Sequence, residues 1–145
     1  MVRRLQGLGT HNEHLIDVYI KHVGSILEIA VPVWHNAITQ VESENIERVQ
    51  KCALHIILGD NYLSYEDALN TTKLETLKCR RDQLSLKFAL KAEKHSKFNN
   101  WFKPHQSKIK TRQKQDKYCH VLARTMRLMK SPISYLTTLL NNHKK

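Results

Sequence analysis

Thr10-His11-Asn12-Glu13 and Thr39-Gln40-Val41-Glu42 each place a hydroxyl residue three positions before an acid at the head of a helical apolar period, and Ser64-Tyr65-Glu66-Asp67 does so before a shorter run. In such a capping box the hydroxyl and the carboxylate satisfy backbone amides that a helix start leaves without partners. The first box is followed by Ile16, Tyr19/Ile20, Val23, Ile26/Leu27 and Ala30, a 3.6-residue period with Asp17, Lys21, Gly24 and Glu28 on the other face. The second opens a helix whose core face is read as Ile46, Val49, Ala53 and Ile56, with Glu44, Glu47, Lys51 and His55 facing away and Gly59 placed as a left-handed end. Ser64 caps a short helix to Leu69, and a longer one is expected from about Thr76 to Lys94 on a Leu77/Leu84/Phe88 seam. Ser131 and Pro132 open a last helix containing Leu136, Leu139 and Leu140. No alternating strand pattern occurs, so the expected fold class is all-α: a small helical bundle with a basic, partly irregular C-terminal extension ending in a short helix.

Pro32 removes an amide and clashes with the preceding turn, so the first long helix is expected to end or kink near Val31. The chain then needs a bend before Thr39. Trp34 is the residue expected to fill that corner, buried between the first two long helices.

Charge divides the chain. Residues 1–94 hold twelve Lys/Arg and twelve Asp/Glu, whereas residues 95–145 hold twelve Lys/Arg against the single acid Asp116. The expected domains are therefore a neutral bundle, 1–94, and a basic extension, 95–145, whose preferred partner is a polyanion, with phosphate backbone first. The three cysteines, Cys52, Cys79 and Cys119, stand far apart and form no CxxC pair, which fits reduced thiols. The apolar run from Val23 to Trp34 is interrupted by Glu28 and Pro32 and is too short to span a bilayer, so the expectation is a soluble nuclear or cytoplasmic chain.

On the helix after Thr76, residues Arg80, Lys87, Lys91 and Lys94 fall within an arc of about 60° at ~100° per residue. They form a candidate row for phosphate contacts. The following segment carries Lys108, Lys110, Arg112, Lys114 and Lys117 beyond the aromatics Phe98, Trp101 and Phe102, with Tyr118 at its end. Basic residues with aromatics both neutralise phosphate and stack on unpaired bases. Because the aromatics cluster at one end, anchoring of Trp101 and Phe102 onto the bundle is favoured over stacking.

The stretches "LIDVYIKHVGSILEIAVPVWHNAIT", "IERVQKCALHIILGDNYLSYEDAL", "LETLKCRRDQLSLKFALKA", "KFNNWF" and "SPISYLTTLLNN" together resemble the C-terminal end of the reverse transcriptase of non-LTR (LINE-like, jockey-type) retrotransposons. The resemblance runs from about Val2 to Asn142. It implies a thumb-like bundle with a basic tail that faces an RNA/DNA template–primer duplex, with the absent fingers and palm as a further partner. Polymerase chemistry needs two metal ions held by palm carboxylates, which the family carries in a Tyr-x-Asp-Asp turn, and no Asp-Asp occurs here. The only adjacent acids, Glu66-Asp67, belong to a helix start.

The remaining residues offer no other chemistry. His11 and His14 lack a third ligand, Cys119-His120 is isolated, and no glycine-rich phosphate loop is present. The expectation is a non-catalytic chain with no metal, no cofactor and no small-molecule substrate. Two further readings stay open: a host-adopted nucleic-acid-binding or helical protein-interaction module, and a decayed copy without function.

Overall fold

The computed structural model describes residues 1–98, 100–105 and 116–143. The chain forms two compact units: unit 1 comprises Met1–Ile29 and Ile38–Arg81, and unit 2 comprises Ala30–Ala37 and Asp82–Lys145. Both are all-α, and the only β-type pairing among the described residues is an isolated antiparallel bridge between Pro104 and Tyr118. The division at 94/95 drawn from charge does not follow the packing. Residues 82–94, and the separate segment 30–37, share a core with residues beyond 95.

Unit 1 begins with α1 (Val2–Gly7) and α2 (Asn12–Val18), the latter continuing through a π-helical stretch, Tyr19–Gly24, into α3 (Ser25–Leu27). Thr10 does not cap α2. His11 takes that position and its side chain makes no cap bond. The wider π turn moves every later side chain off the 3.6-residue register. Leu15, before that turn, and Tyr19, at its start, are buried; beyond them Gly24 is buried where exposure was expected, and Ile26 is 68% exposed.

The segment after α3 corrects the reading of Pro32. The helix already ends at Leu27, Ala30 adopts a left-handed conformation (φ 52°), and Pro32 lies in the first turn of α4 (Val31–Trp34). A first-turn residue has no intrahelical use for its amide, so Pro32 starts a helix instead of stopping one. Val31 is the fully buried residue here. Trp34 is only half-buried, and it belongs to unit 2, not between the first two helices of unit 1.

In unit 1, α5 (Gln40–Leu58) has the expected capping box: the Glu42 amide donates to Thr39 Oγ1 at 3.3 Å, and the Thr39 amide donates to Glu42 Oε2 at 2.7 Å. Its buried face is Gln50, Ala53, Leu54, Ile57 and Leu58, whereas Val49 is 42% exposed. The last turns of α5 are apolar almost all round, and packing against α1 and α6 (Tyr65–Thr72) decides which side is covered. Ser64 caps α6 as expected, accepting from the Asp67 amide at 3.1 Å. Two adjoining clusters result, Val2/Leu15/Tyr19/Ala53/Ile57 and Leu54/Leu58/Ala68, and Leu74 packs against both.

Glu47, expected to face solvent, is half-buried. Its carboxylate accepts from the amides of Leu77 (3.3 Å) and Lys78 (2.6 Å), the first residues of α7 (Leu77–Lys94), and from the Tyr65 hydroxyl (2.8 Å). It is a helix cap supplied from another helix. Burial and the Glu47 carboxylate both raise the pKa of the Tyr65 hydroxyl.

Unit 2 holds α4, the remainder of α7, a short 3-10 turn at Ser96–Phe98, α8 (Met126–Met129) and α9 (Pro132–His143). Its core is Ala89, Ala92, Phe102, Tyr118, Leu136 and Leu140, with Trp101 and Phe98 packed against it. The aromatics at 98–102 are thus anchors. Asn141 brackets Tyr118 from α9: the Tyr118 amide donates to Asn141 Oδ1, and Asn141 Nδ2 donates to the Tyr118 carbonyl, both at 3.0 Å.

Replacing Glu47 by glutamine is expected to cost about 1.5–3 kcal/mol, the range for hydrogen bonds to a charged group. The melting temperature should drop by several degrees, while Glu44→Gln, on the exposed side of the same helix, should change it little. Equal melting temperatures for the two variants in a thermal unfolding series would remove Glu47 from this role.

Candidate nucleic-acid interface

The helix α7 crosses from one unit to the other, and its buried stripe is not the expected leucine seam. Leu77, Arg81, Ser85, Ala89 and Ala92 are the buried positions, while Leu84 and Phe88 are half-buried. At ~100° per residue the Lys87/Lys91/Lys94 row is turned roughly 130° from the centre of that stripe. The lysines therefore occupy the far side of the helix. All three are exposed and make no ion pair among the described residues.

Arg80 does not join them. It belongs to unit 1, where its Nε donates to Glu28 Oε1 at 2.9 Å and its Nη2 lies 3.5 Å from Oε2, so its charge is already met by a two-point carboxylate contact. That hydrogen bond, with the Glu28 charge, raises the pKa of the guanidinium further. Lys117 is also engaged: it is paired with Glu93 and lies 5.0 Å from the centre of the Tyr118 ring. Lys108, Lys110, Arg112 and Lys114 lie outside the described residues.

Counting charge by packed unit sharpens the asymmetry. Unit 1 has nine Lys/Arg and ten Asp/Glu, net −1, while unit 2 has fifteen Lys/Arg and three Asp/Glu, net +12. All three acids of unit 2 are held by its own side chains. Asp82 Oδ1 is 2.7 Å from His35 Nε2 and accepts from the Tyr135 hydroxyl at 3.2 Å. Glu93 accepts from Tyr118 at 2.7 Å and from Lys117, and Asp116 lies 2.9 Å from His120 Nε2.

The acids thus serve as internal hydrogen-bond acceptors. Lys97, Lys103, Arg124, Arg127 and Lys130 are exposed cations of the same unit that reading the α7 row alone passes over. A charge count over the packed unit is the signal that finds them. Residues 103–105 and 117–119 are joined by bonds from the His105 amide to the Lys117 carbonyl (3.0 Å) and from the Cys119 amide to the Lys103 carbonyl (2.9 Å).

No described helix is long and apolar enough to cross a membrane. Comparison with protein-family profiles, curated proteins and solved structures gives no match to this chain.

The Asp82 node makes a pH prediction. Burial first, and then the Asp82 carboxylate, push the Tyr135 pKa up to about 12. The unfolded chain releases this proton near pH ~10, so the contribution is fully present below that pH and is lost as pH rises toward about 12. Stability measured by urea unfolding should therefore fall over this window, and Tyr135→Phe should flatten the fall. Parallel pH profiles for the two proteins would show that the fold does not hold the Tyr135 proton more tightly than the unfolded chain does.

Proposed function

We propose that this chain is a non-catalytic nucleic-acid-binding module, a thumb-region fragment of a non-LTR retrotransposon reverse transcriptase, that grips a template–primer duplex through phosphate contacts without reading sequence. The observation that supports it is the concentration of charge in unit 2, net +12, with its acids turned to internal use and Lys87, Lys91 and Lys94 exposed along one helix. Lysine is a compact, flexible point charge that meets phosphate without demanding a base edge. The quoted sequence stretches support the retroelement origin, and the lack of an Asp-Asp pair supports the non-catalytic reading.

A second reading, a protein-interaction module, draws on apolar side chains left exposed. Ile20, Ile26 and Ile29 in unit 1, and Leu122, Met126 and Met129 in unit 2, are between 44% and 94% exposed. In the thumb reading the missing fingers and palm are candidates to cover such residues.

Binding to duplex nucleic acid at a series of salt concentrations tests the proposal. With about six phosphates neutralised, log K against log salt should have a slope near −5. Replacing Lys87, Lys91 and Lys94 together by glutamine should reduce that slope by up to about three while leaving the melting temperature unchanged. Arg80→Gln should leave the slope alone, because Glu28 already occupies its charge. Removing residues 95–145 is not a clean alternative, since they supply Phe102, Tyr118, Leu136 and Leu140 to the core of unit 2. No binding at low salt, or a slope unmoved by the triple substitution, would overturn the proposal.

A further inference from the structure

Every large apolar side chain between residues 122 and 129 of unit 2 is exposed: Leu122 by 94%, Met126 by 66%, Leu128 by 43% and Met129 by 53%. The reason lies in the chain around them. Thr125 caps α8, its Oγ1 accepting from the Leu128 amide at 3.3 Å, and the Ser131 amide closes the turn on the Leu128 carbonyl at 3.0 Å. A single helical turn is too short to form a buried face, and the core of unit 2 is completed by the next helix through Leu136 and Leu140. Apolar residues exposed singly are ordinary, but four within eight positions, held in a formed turn, make a patch of the kind that marks an interaction site.

The same stretch carries only one sign of charge. Arg124, Arg127 and Lys130 are exposed among the apolar residues and make no ion pair among the described residues. Residues 117–145 contain no Asp or Glu, so this part of the chain supplies no carboxylate to them. Met126 and Met129 stand at i and i+3, neighbours on one side of the turn. Methionine is unbranched and polarisable, and surfaces built from it adapt to the apolar faces of partner helices.

Charge and apolarity together select the occupant. A second copy meeting this surface with its own would bring the same cations to the contact and be repelled. A duplex would satisfy the cations but leave Leu122, Met126 and Met129 in water. A lipid surface is bound by an amphipathic helix with a long apolar face, and α8 has four residues. An acidic amphipathic helix answers both needs, its carboxylates meeting the cations while its apolar side covers the methionines. We propose that residues 122–130 dock an acidic amphipathic helical segment of a partner protein. This site does not depend on the phosphate reading, which uses Lys87, Lys91 and Lys94 of α7.

The test is binding of three synthetic peptides to the full chain, by fluorescence anisotropy and calorimetry. The first places leucine at i, i+3, i+4 and i+7 of a glutamate-rich helix, the second has the same composition in scrambled order, and the third replaces the leucines by glutamine and keeps the charge. The first should bind about tenfold or more tightly than the others. Met126→Gln with Met129→Gln should weaken it by about tenfold, the worth of partly burying two large apolar side chains. Replacing Arg124, Arg127 and Lys130 together by glutamine should weaken it by about threefold or more. These positions are exposed, so both variants should melt with the parent. Replacing Lys87, Lys91 and Lys94 by glutamine should leave the peptide affinity unchanged.

Equal binding of the three peptides would overturn the inference, since charge alone would then suffice. So would a first peptide that fails to bind, that is indifferent to the methionine substitutions, or that is weakened as much by replacing Lys87, Lys91 and Lys94. If the methionine variant melts below the parent, the comparison of the three peptides on the parent chain decides. Capture by anionic phospholipid vesicles without binding of the first peptide would assign the patch to a lipid surface and likewise overturn it. Duplex binding without binding of the first peptide removes the docking site and keeps the phosphate reading. Binding of the first peptide without duplex binding does the reverse.

Discussion

The Glu47 carboxylate is where three helices of unit 1 are tied together. It projects from the middle of α5, receives the first two amides of α7 and receives the hydroxyl at the start of α6. A helix start carries several amides without intrahelical partners and a partial positive charge, and an anion placed there answers both. Thr76 supplies a second, local acceptor through its hydroxyl, 3.3 Å from the Cys79 amide. One turn further on, Arg81, 1% exposed, donates to Ser43 of α5 at 2.6 Å. The start of α7 is therefore fixed within unit 1 by polar contacts to α5.

Unit 2 handles polarity in another way. Its few acids and Asn141 are taken up by hydroxyls, imidazoles, Lys117 and the two peptide groups that flank Tyr118, while most of its described cations are exposed. This is why the residues beyond 95 do not behave as a tail appended to a finished bundle. Phe102 and Tyr118 sit in the core beside Leu136 and Leu140, so the same segment that carries the charge also completes the packing. Like charges gathered on one unit repel, and the fold tolerates this because long lysine side chains keep their ammonium groups in water.

What the sequence discloses about this fold is largely what is local. The caps at Thr39, Ser64 and Ser131 need only neighbouring residues, and each forms. The all-α class follows from periodicity alone. The expected cap at Thr10 is an exception, since His11 takes that position without a side-chain bond; the other failures have a different character. The shift after α2 comes from a π turn that no residue type announces, and the true face of α5 is chosen by its neighbours among several apolar alternatives. The role of Glu47 depends on α7 arriving beside it in space. Among the basic residues, spacing grouped Arg80 with three lysines, but Glu28, fifty-two positions away, removes it from the row.

The short helix α4 has a consequence for how the molecule is made. Val31, completely buried, belongs to a segment that unit 2 claims, yet its neighbours in sequence on both sides belong to unit 1. During synthesis both pieces of unit 1 are complete once Arg81 has emerged, while Val31 must wait for α9, against which α4 packs, about a hundred residues downstream. Contacts of that separation close slowly, and an apolar turn left waiting is open to wrong partners. Val31 and its neighbours are thus the part of the chain most dependent on the arrival of its last helix.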